Sequence, residues 1–368
     1  MNRFSTEPSP TRNPALQRLC HRTSPEGRLS WQDESKSGRR RAPSTCRTAE
    51  PFWRRRWKKG SHTLMEAVSG RCGSCKSRLL SGEVDLLPHT RFSLTDDERA
   101  QGLILACRAQ PLTDCTVAWL DEDEEQLDLP VRTFRTRVVA IDDATHDIRQ
   151  ISLEVESGEA VAFRAGQYAQ VTFDGVPTRD YSMANRPGRF CLEFHIRHVP
   201  GGATSEHVAR SLKVGDEVTV RGPLGSSFLR EQHTGPILAV AGGSGLAPIK
   251  SIVETALVSG LRQPIHLYFG ARTERDLYLV EHFSLLASAY DNLTFTPVLS
   301  EVSRSDHFRT GLVTDAIVSD VQDLDGWKAY MAGPPAMIDA SGIMLRELGL
   351  RGEDIHADVF FTPEEAPT

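Results

Sequence analysis

Long apolar runs are missing from this 368-residue chain, and none approaches the roughly 18 consecutive residues that a membrane-spanning helix needs. The first residues carry no apolar h-region, so no secretory leader is expected. Cysteine is sparse, at 7 residues, too few in a chain this long for a disulfide scaffold. Acidic side chains are scarce at one end only. Residues 1–60 hold 15 Lys and Arg against 5 Asp and Glu, and the rest holds 28 against 44. The sign of the charge therefore changes near Gly60, which marks a boundary. The runs Arg39-Arg40-Arg41 and Arg54-Arg55-Arg56 are read as a solvated basic tail, with no nucleic acid or membrane as partner, because no apolar period accompanies them to present the charge. Glu7, Glu26, Asp33 and Glu34 argue against a transit peptide, whose composition is poor in acidic residues. What remains is a cytoplasmic chain long enough for two or three domains.

The pattern along the chain changes three times. A disordered basic tail is expected over 1–61. A small unit follows over 62–125, with short strands at Leu103-Ile104-Leu105-Ala106-Cys107 and Thr116-Val117-Ala118-Trp119 and a closing acidic run from Asp121 to Glu125. Residues 131–232 show repeated short alternating strands, among them Tyr168-Ala169-Gln170-Val171-Thr172-Phe173 and Leu192-Glu193-Phe194-His195-Ile196-Arg197. That spacing predicts an antiparallel β-barrel with one short helix over 204–213. From 233 to 368 the pattern becomes strand–helix alternation. The apolar run Pro236-Ile237-Leu238-Ala239-Val240-Ala241 reads as a buried parallel strand, a helix follows over 249–257, and the whole predicts a doubly wound α/β parallel sheet.

Glycine-rich turns sit where such a sheet binds ligands. Gly242-Gly243-Ser244-Gly245-Leu246-Ala247-Pro248 follows a buried strand and opens a helix. There the backbone can approach a pyrophosphate, and the helix N-terminus offers free N–H groups. The string is not G-x-G-x-x-G, and by itself it is also compatible with an ordinary tight turn. Gly333-Pro334-Pro335-Ala336-Met337 follows a later strand and is rigid enough to shape one wall of a crevice. In the barrel, Arg179-Asp180-Tyr181-Ser182 offers a fixed cation, a flat ring and a small hydroxyl. Gly201-Gly202-Ala203-Thr204-Ser205 opens the short helix. Taken singly, each of these is more often a surface Arg, a core Tyr or a plain turn.

Their order carries the information. R-x-Y-S, then G-G-x-x-S, then G-G-S-G-L-A-P and Y-M-A-G-P-P-A-M resembles the ferredoxin–NAD(P) reductase superfamily from about residue 131 to 361, and Phe163-Arg164-Ala165-Gly166-Gln167-Tyr168 fits its F-x-x-G-Q-Y. The strings PGGATS, HTGPILAVAGGSGLAP and PIHLYFGAR look like the reductase components of naphthalene dioxygenase and salicylate hydroxylase systems. The resemblance implies FAD and NAD(P)H as cofactors. It places Arg179, Tyr181 and Ser182 against the flavin, with Ser182 near its N5, and His195, Ile196 and Arg197 along the ribityl and pyrophosphate path. Gly201, Gly202 and Ser205 would bind flavin phosphate, and Gly243, Gly245, Pro248, Gly333 and Pro334 the dinucleotide. Phe360 or Phe361 would cover the flavin ring where nicotinamide enters. Ser182, Phe360 and Phe361 are thus the residues expected at the chemistry. Relatives often carry Cys before Gly-Pro-Pro, and here that residue is Ala332. Arg272-Thr273-Glu274 after a strand of the sheet gives a mixed signal at the ribose and a modest lean to NADH.

The string S-G-R-C-G-S-C-K matches the fused plant-type ferredoxin domain of the same reductases, so the small unit is expected to be a truncated β-grasp segment. Cys72, Cys75 and Cys107 are its candidate metal ligands. The first ligand of the C-x4-C-x2-C pattern belongs at Ala67, so three thiolates stand where a 2Fe–2S cluster needs four. Cys46 and Cys20 are the candidate substitutes, whereas Cys115 and Cys191 read as buried thiols. The opening hairpin of such a domain has no visible counterpart in residues 1–60. The implied activity is electron transfer from NADH through FAD, and through the cluster where it assembles, to a Rieske-type ferredoxin or oxygenase component, by a monomer. Two alternatives stay open: a flavin-only NADH diaphorase with a non-functional iron–sulfur domain, and a non-enzymatic decayed product. The intact flavin and nicotinamide motifs oppose the second.

Overall fold

A computed structural model describes residues 44–46, 70, 73, 75–119 and 129–361. The ferredoxin-like part contains β1 (Ser44–Cys46), β2 (Lys76–Ser81), β3 (Val84–Leu86), α1 (Asp96–Ala100), β4 (Leu103–Leu105), β5 (Ala109–Pro111) and β6 (Cys115–Trp119). Its main sheet runs β1-β6-β2-β4, with β3 and β5 paired separately. Thr95 starts α1 with a complete capping box, its hydroxyl accepting from Glu98 N while the Glu98 carboxylate accepts from Thr95 N. β1 is a departure from the sequence reading. It lies within the stretch read as a tail and pairs antiparallel with β6, Cys46 opposite Cys115. Three residues without sustained alternation give no strand signal, because β6 supplies the order they need.

The barrel comprises β7 (Arg132–Asp143), β8 (Ile148–Val155), β9 (Tyr168–Phe173), β10 (Arg179–Ser182), β11 (Cys191–Arg197), α2 (Ala203–Arg210) and β12 (Glu217–Leu224). The antiparallel order is β10-β9-β12-β7-β8-β11, and a bridge between Met183 and Phe194 brings its two edges together. Alternation places Leu192, Phe194 and Ile196 in the barrel core beside Phe173 and Val220. Each large side chain so buried contributes about 1.5–3 kcal/mol.

The last part contains β13 (Ile237–Gly242), α3 (Leu246–Val258), β14 (Ile265–Ala271), α4 (Val280–Ala289), β15 (Leu293–Leu299), β16 (Arg309–Thr310), α5 (Val313–Asp320), β17 (Lys328–Gly333), α6 (Pro335–Glu347) and β18 (Ile355–Val359). All pairs in the order β16-β15-β14-β13-β17-β18 are parallel. Successive residues of β13 enter two cores. Ile237, Ala239 and Ala241 pack with α3 and α4, and Leu238 and Val240 with α5 and α6. A strand buried on both faces has no polar side, which is why it reads as one apolar run. Phe92 of the ferredoxin-like part joins the second core, and a Cβ on Gly342 of α6 would lie 3.0 Å from its ring. Among the described residues no helix is long and apolar enough to cross a membrane.

Candidate flavin and nicotinamide site

Two glycine turns leave the C-terminal ends of neighbouring strands β13 and β17, which pair Ala241 with Ala332. They approach backbone to backbone. A Cβ on Gly245 would fall well inside van der Waals contact distance of the Ala332 carbonyl oxygen, and one on Gly333 would lie 3.1 Å from Gly242 N. Gly243 has φ +54°, a conformation glycine adopts without Cβ strain. Pro248 is buried in the first turn of α3. The crevice at a sheet's carboxyl edge is where an open α/β fold takes a dinucleotide.

The barrel meets this crevice through Ser182. Its hydroxyl donates to Asp358 Oδ2 at 2.6 Å. Asp358 stands on β18 opposite Ala332, and burial pushes its carboxyl up to about 6. Phe360 N donates to Gly333 O at 2.8 Å, so the chain end is held along the Gly-Pro-Pro turn. Phe360 and Phe361 are half-buried there. Sequence reasoning missed Asp358. Its only signal was a carboxylate interrupting the apolar I-H-A-D-V-F pattern of an edge strand.

The expected flavin-binding residues divide into two groups. Arg179 is exposed on β10, and its Nη1 donates to the Thr178 carbonyl at 3.0 Å. Tyr181 is half-buried two residues on, its hydroxyl pushed up to about 12 by burial. Gly201 has φ +75°, with open space where a Cβ would be. Gly202 is the N-cap of α2, and Ser205 Oγ is within 3.1 Å of both Val199 N and Gly202 O. An exposed cation and an open helix N-terminus are a donor set that fits a phosphate-bearing flavin. Ile196 and His195 are placed otherwise. The Ile196 side chain lies in the barrel core. His195 Nδ1 is 2.9 Å from the Tyr278 hydroxyl and its Nε2 is 2.8 Å from Glu193 Oε1. Strand alternation explains the split: the faces of β11 point into the barrel and towards α3. Arg197 is paired with Asp147 at 2.8 Å and lies beside Gly243.

In the ferredoxin-like part, Cys75 Sγ donates to Cys107 Sγ at 3.0 Å, and that bond holds the Cys107 thiol below its usual range. Both are buried and adjacent, as two ligands of one iron must be. Cys72, Ala67 and Cys20 lie outside the described residues. The register removes Cys46 from the ligand set. Its partner Cys115 lies one residue beyond the Thr116–Ser81 pair, whereas Cys75 adjoins Lys76 at the other end of β2. At about 3.3 Å per residue the two cysteines are roughly 20 Å apart along the strands, far beyond one cluster. Cys115 is a buried free thiol, and Cys191 is disulfide-bonded, not the thiol expected. Among the described residues, Cys75 and Cys107 are the two cysteines so placed, short of a four-cysteine shell.

A barrel, a parallel sheet with this crevice and a β-grasp unit with paired cysteines define an oxidoreductase of the flavin- and nicotinamide-binding class. The comparisons agree domain by domain. Residues 22–112 match the 2Fe–2S iron–sulfur cluster binding domain, 135–228 the oxidoreductase FAD-binding domain and 239–342 the oxidoreductase NAD-binding domain. The chain is 43% identical over 298 residues to the ferredoxin–NAD(P)+ reductase component of the naphthalene 1,2-dioxygenase/salicylate 5-hydroxylase systems of a Ralstonia species, covering 80% of this chain and 88% of that one. It is 40% identical over 296 residues to the reductase component of the Pseudomonas putida naphthalene 1,2-dioxygenase system, with the same coverages. Among solved structures, a cytochrome P450 reductase of Amycolatopsis matches with TM-score 0.67 and 36% identity, over 82% of this chain and 91% of that one. The chain belongs to the family of ferredoxin–NAD(P)+ reductase components of multicomponent oxygenase systems.

Proposed function

We propose that the chain takes hydride from NADH and delivers electrons singly to a Rieske-type ferredoxin or to the oxygenase component of an aromatic-ring-hydroxylating system, working as a cytoplasmic monomer. FAD, when bound, supplies the conversion between two-electron and one-electron chemistry. Arg179 and the backbone N–H groups of the α2 N-terminus that follows Gly202 would hold its phosphates. Tyr181 would flank the ring. The Ser182 hydroxyl would turn its one proton to the reacting face, with Asp358, protonated, donating to the Ser182 oxygen in its place. Phe360 and Phe361 would keep water from the ring until nicotinamide displaces them. The close packing of Gly245 against Ala332 and Gly333 sets the two turns side by side, and the dinucleotide's pyrophosphate would lie against them at the sheet's carboxyl edge.

The observation that carries this reading is the meeting of Ser182, Asp358 and the Gly333 turn at one crevice, although they come from the barrel, the last strand and the sheet. The test is an absorption spectrum of the purified chain with NADH-dependent ferricyanide reduction. Flavin bands that bleach anaerobically with NADH support it, and a colourless protein that cannot be loaded with FAD refutes it. The diaphorase reading draws on the incomplete cysteine shell. It separates from the first by electron delivery to a protein acceptor.

A further inference from the structure

Behind the crevice, Lys250, His195 and Tyr278 are buried between barrel and sheet around a half-buried Glu193. Lys250, on the second turn of α3, donates from Nζ to Glu193 Oε2 at 3.1 Å and to the Ala184 carbonyl at 3.3 Å, and lies 3.4 Å from Glu254 Oε1. Glu193 Oε1 meets His195 Nε2 at 2.8 Å, and His195 Nδ1 meets the Tyr278 hydroxyl at 2.9 Å. The Tyr278 hydroxyl is in turn 3.4 Å from the carbonyl of Gly243, where the dinucleotide turn begins. Ser251, next to Lys250, donates to the Asn185 carbonyl at 2.7 Å. The contacts form a ring: a neutral His195 donates from Nε2 to Glu193 and accepts at Nδ1 from the Tyr278 hydroxyl, whose oxygen stays in contact with the Gly243 carbonyl. The ring leaves the dinucleotide turn along α3, crosses into the barrel, and returns to the same turn through Tyr278. Its barrel anchors, Ala184 and Asn185, lie two and three residues after Ser182.

Stability does not explain this arrangement. Buried ion pairs cost about as much in desolvation as they return, and apolar replacements are often as stable. What hydrogen bonds impose and apolar contacts do not is a defined distance, since an apolar face permits sliding. Burial opposes the charged forms of both Lys250 and Glu193, yet their mutual attraction holds the lysine above its usual range and the carboxylate below its own. The pair therefore stays ionised and its geometry specific. We propose that Lys250, Glu193, His195 and Tyr278 are positioning residues for hydride transfer, holding the dinucleotide turn at a set distance from the segment that carries Ser182. The proposal rests on the nicotinamide-to-flavin reading above.

The test uses the full FAD-loaded chain with Tyr278→Phe, Lys250→Met and Lys250→Arg. Two quantities are read: the limiting rate of anaerobic flavin reduction by NADH, and amide hydrogen exchange of the peptide spanning 240–248 without NADH. Tyr278→Phe and Lys250→Met are expected to slow the limiting rate about tenfold or more, with a smaller change in KM. They should also speed exchange in that peptide and leave reoxidation of pre-reduced flavin by ferricyanide at the parent rate. Lys250→Arg should recover most of the rate. If Lys250→Met does not retain flavin, Tyr278→Phe decides, because it keeps the ring and loses only the hydroxyl. Parent-like rates overturn the proposal, and so does a slowed rate with parent-like exchange, since the turn would then not have moved. A parent chain that NADH cannot reduce defeats the functional reading instead, while the exchange comparison still tests the latch.

Discussion

At the scale of single residues, chemistry turns on groups whose surroundings change their ordinary behaviour. Asp358 is one. Burial raises its carboxyl to about 6, so the folded chain binds its proton more tightly than the unfolded chain, whose carboxyl titrates near 3.9. Stability is therefore lost as pH rises from about 4 through about 6, by about 3 kcal/mol in full. Asp358→Asn keeps an acceptor for Ser182 and removes the charge. It is expected to raise the melting temperature at pH 8 and to leave it near the parent value at pH 4, and an equal gain at both would refute the assignment. Arg179 is the converse case, an exposed cation bonded only to its neighbour's carbonyl in the described structure. Arg179→Ala should weaken FAD binding by about 1.5–3 kcal/mol, the worth of a charged hydrogen bond. Flavin content after gel filtration reads the loss, and full retention would remove Arg179 from the phosphate site. Arg272 Nη2 lies 3.3 Å from Asp276 Oδ1, which partly neutralises a cation that would stand near the ribose. Arg272→Ala should therefore lower kcat/KM for NADPH more than for NADH, and an equal drop would place it elsewhere.

At the scale of elements, the two glycine turns work as a pair. Because a Cβ at Gly245 would overlap the Ala332 carbonyl oxygen, Gly245→Ala must push β17 away from α3. Overpacking of this kind costs about 1–3 kcal/mol. The expected result is a lowered melting temperature together with a raised KM for NADH, with flavin content held, since the barrel is untouched. The register of β1 on β6 leads to a second expectation. Cys46 pairs in register with Cys115 at the end of the sheet away from Cys75, so Cys46→Ser should leave bound iron unchanged. A fall in iron would show that the chain rearranges when it takes up metal.

At the scale of the whole molecule, the parts meet through shared cores and specific polar contacts. Phe92 enters the core between the parallel sheet and α6, so the ferredoxin-like part is anchored on the side of the parallel sheet. Cys72, Cys75 and Cys107 would fill three of the four cysteine positions of a ferredoxin shell, and Ala67 stands where the first would be. An incomplete shell exposes iron to water and oxygen. As purified, the chain is expected to carry full flavin but less than two iron per chain, and to reduce ferricyanide quickly and a Rieske ferredoxin slowly. A normal ferredoxin N-terminus with Cys at position 67 should restore iron and protein-acceptor activity together. Two iron and two sulfide retained in air by the unaltered chain would show that another group completes the shell.

What the sequence determined alone was local in origin. Alternation in 131–232 and strand–helix alternation after 233 report which faces are buried, and each face is written every second or every third to fourth residue. The glycine turns were legible for the same reason, since only glycine tolerates those approaches. The resemblance in motif order then supplied the roles. The tertiary structure decided whatever depends on residues distant in the chain. Asp358 meets Ser182 across 176 positions, and Lys250 meets Glu193 across 57. A three-residue strand at Ser44–Cys46 exists because β6 offers it an edge. None of these leaves a periodic trace in the sequence, because a polar contact between domains needs one residue on each side and not a repeated face.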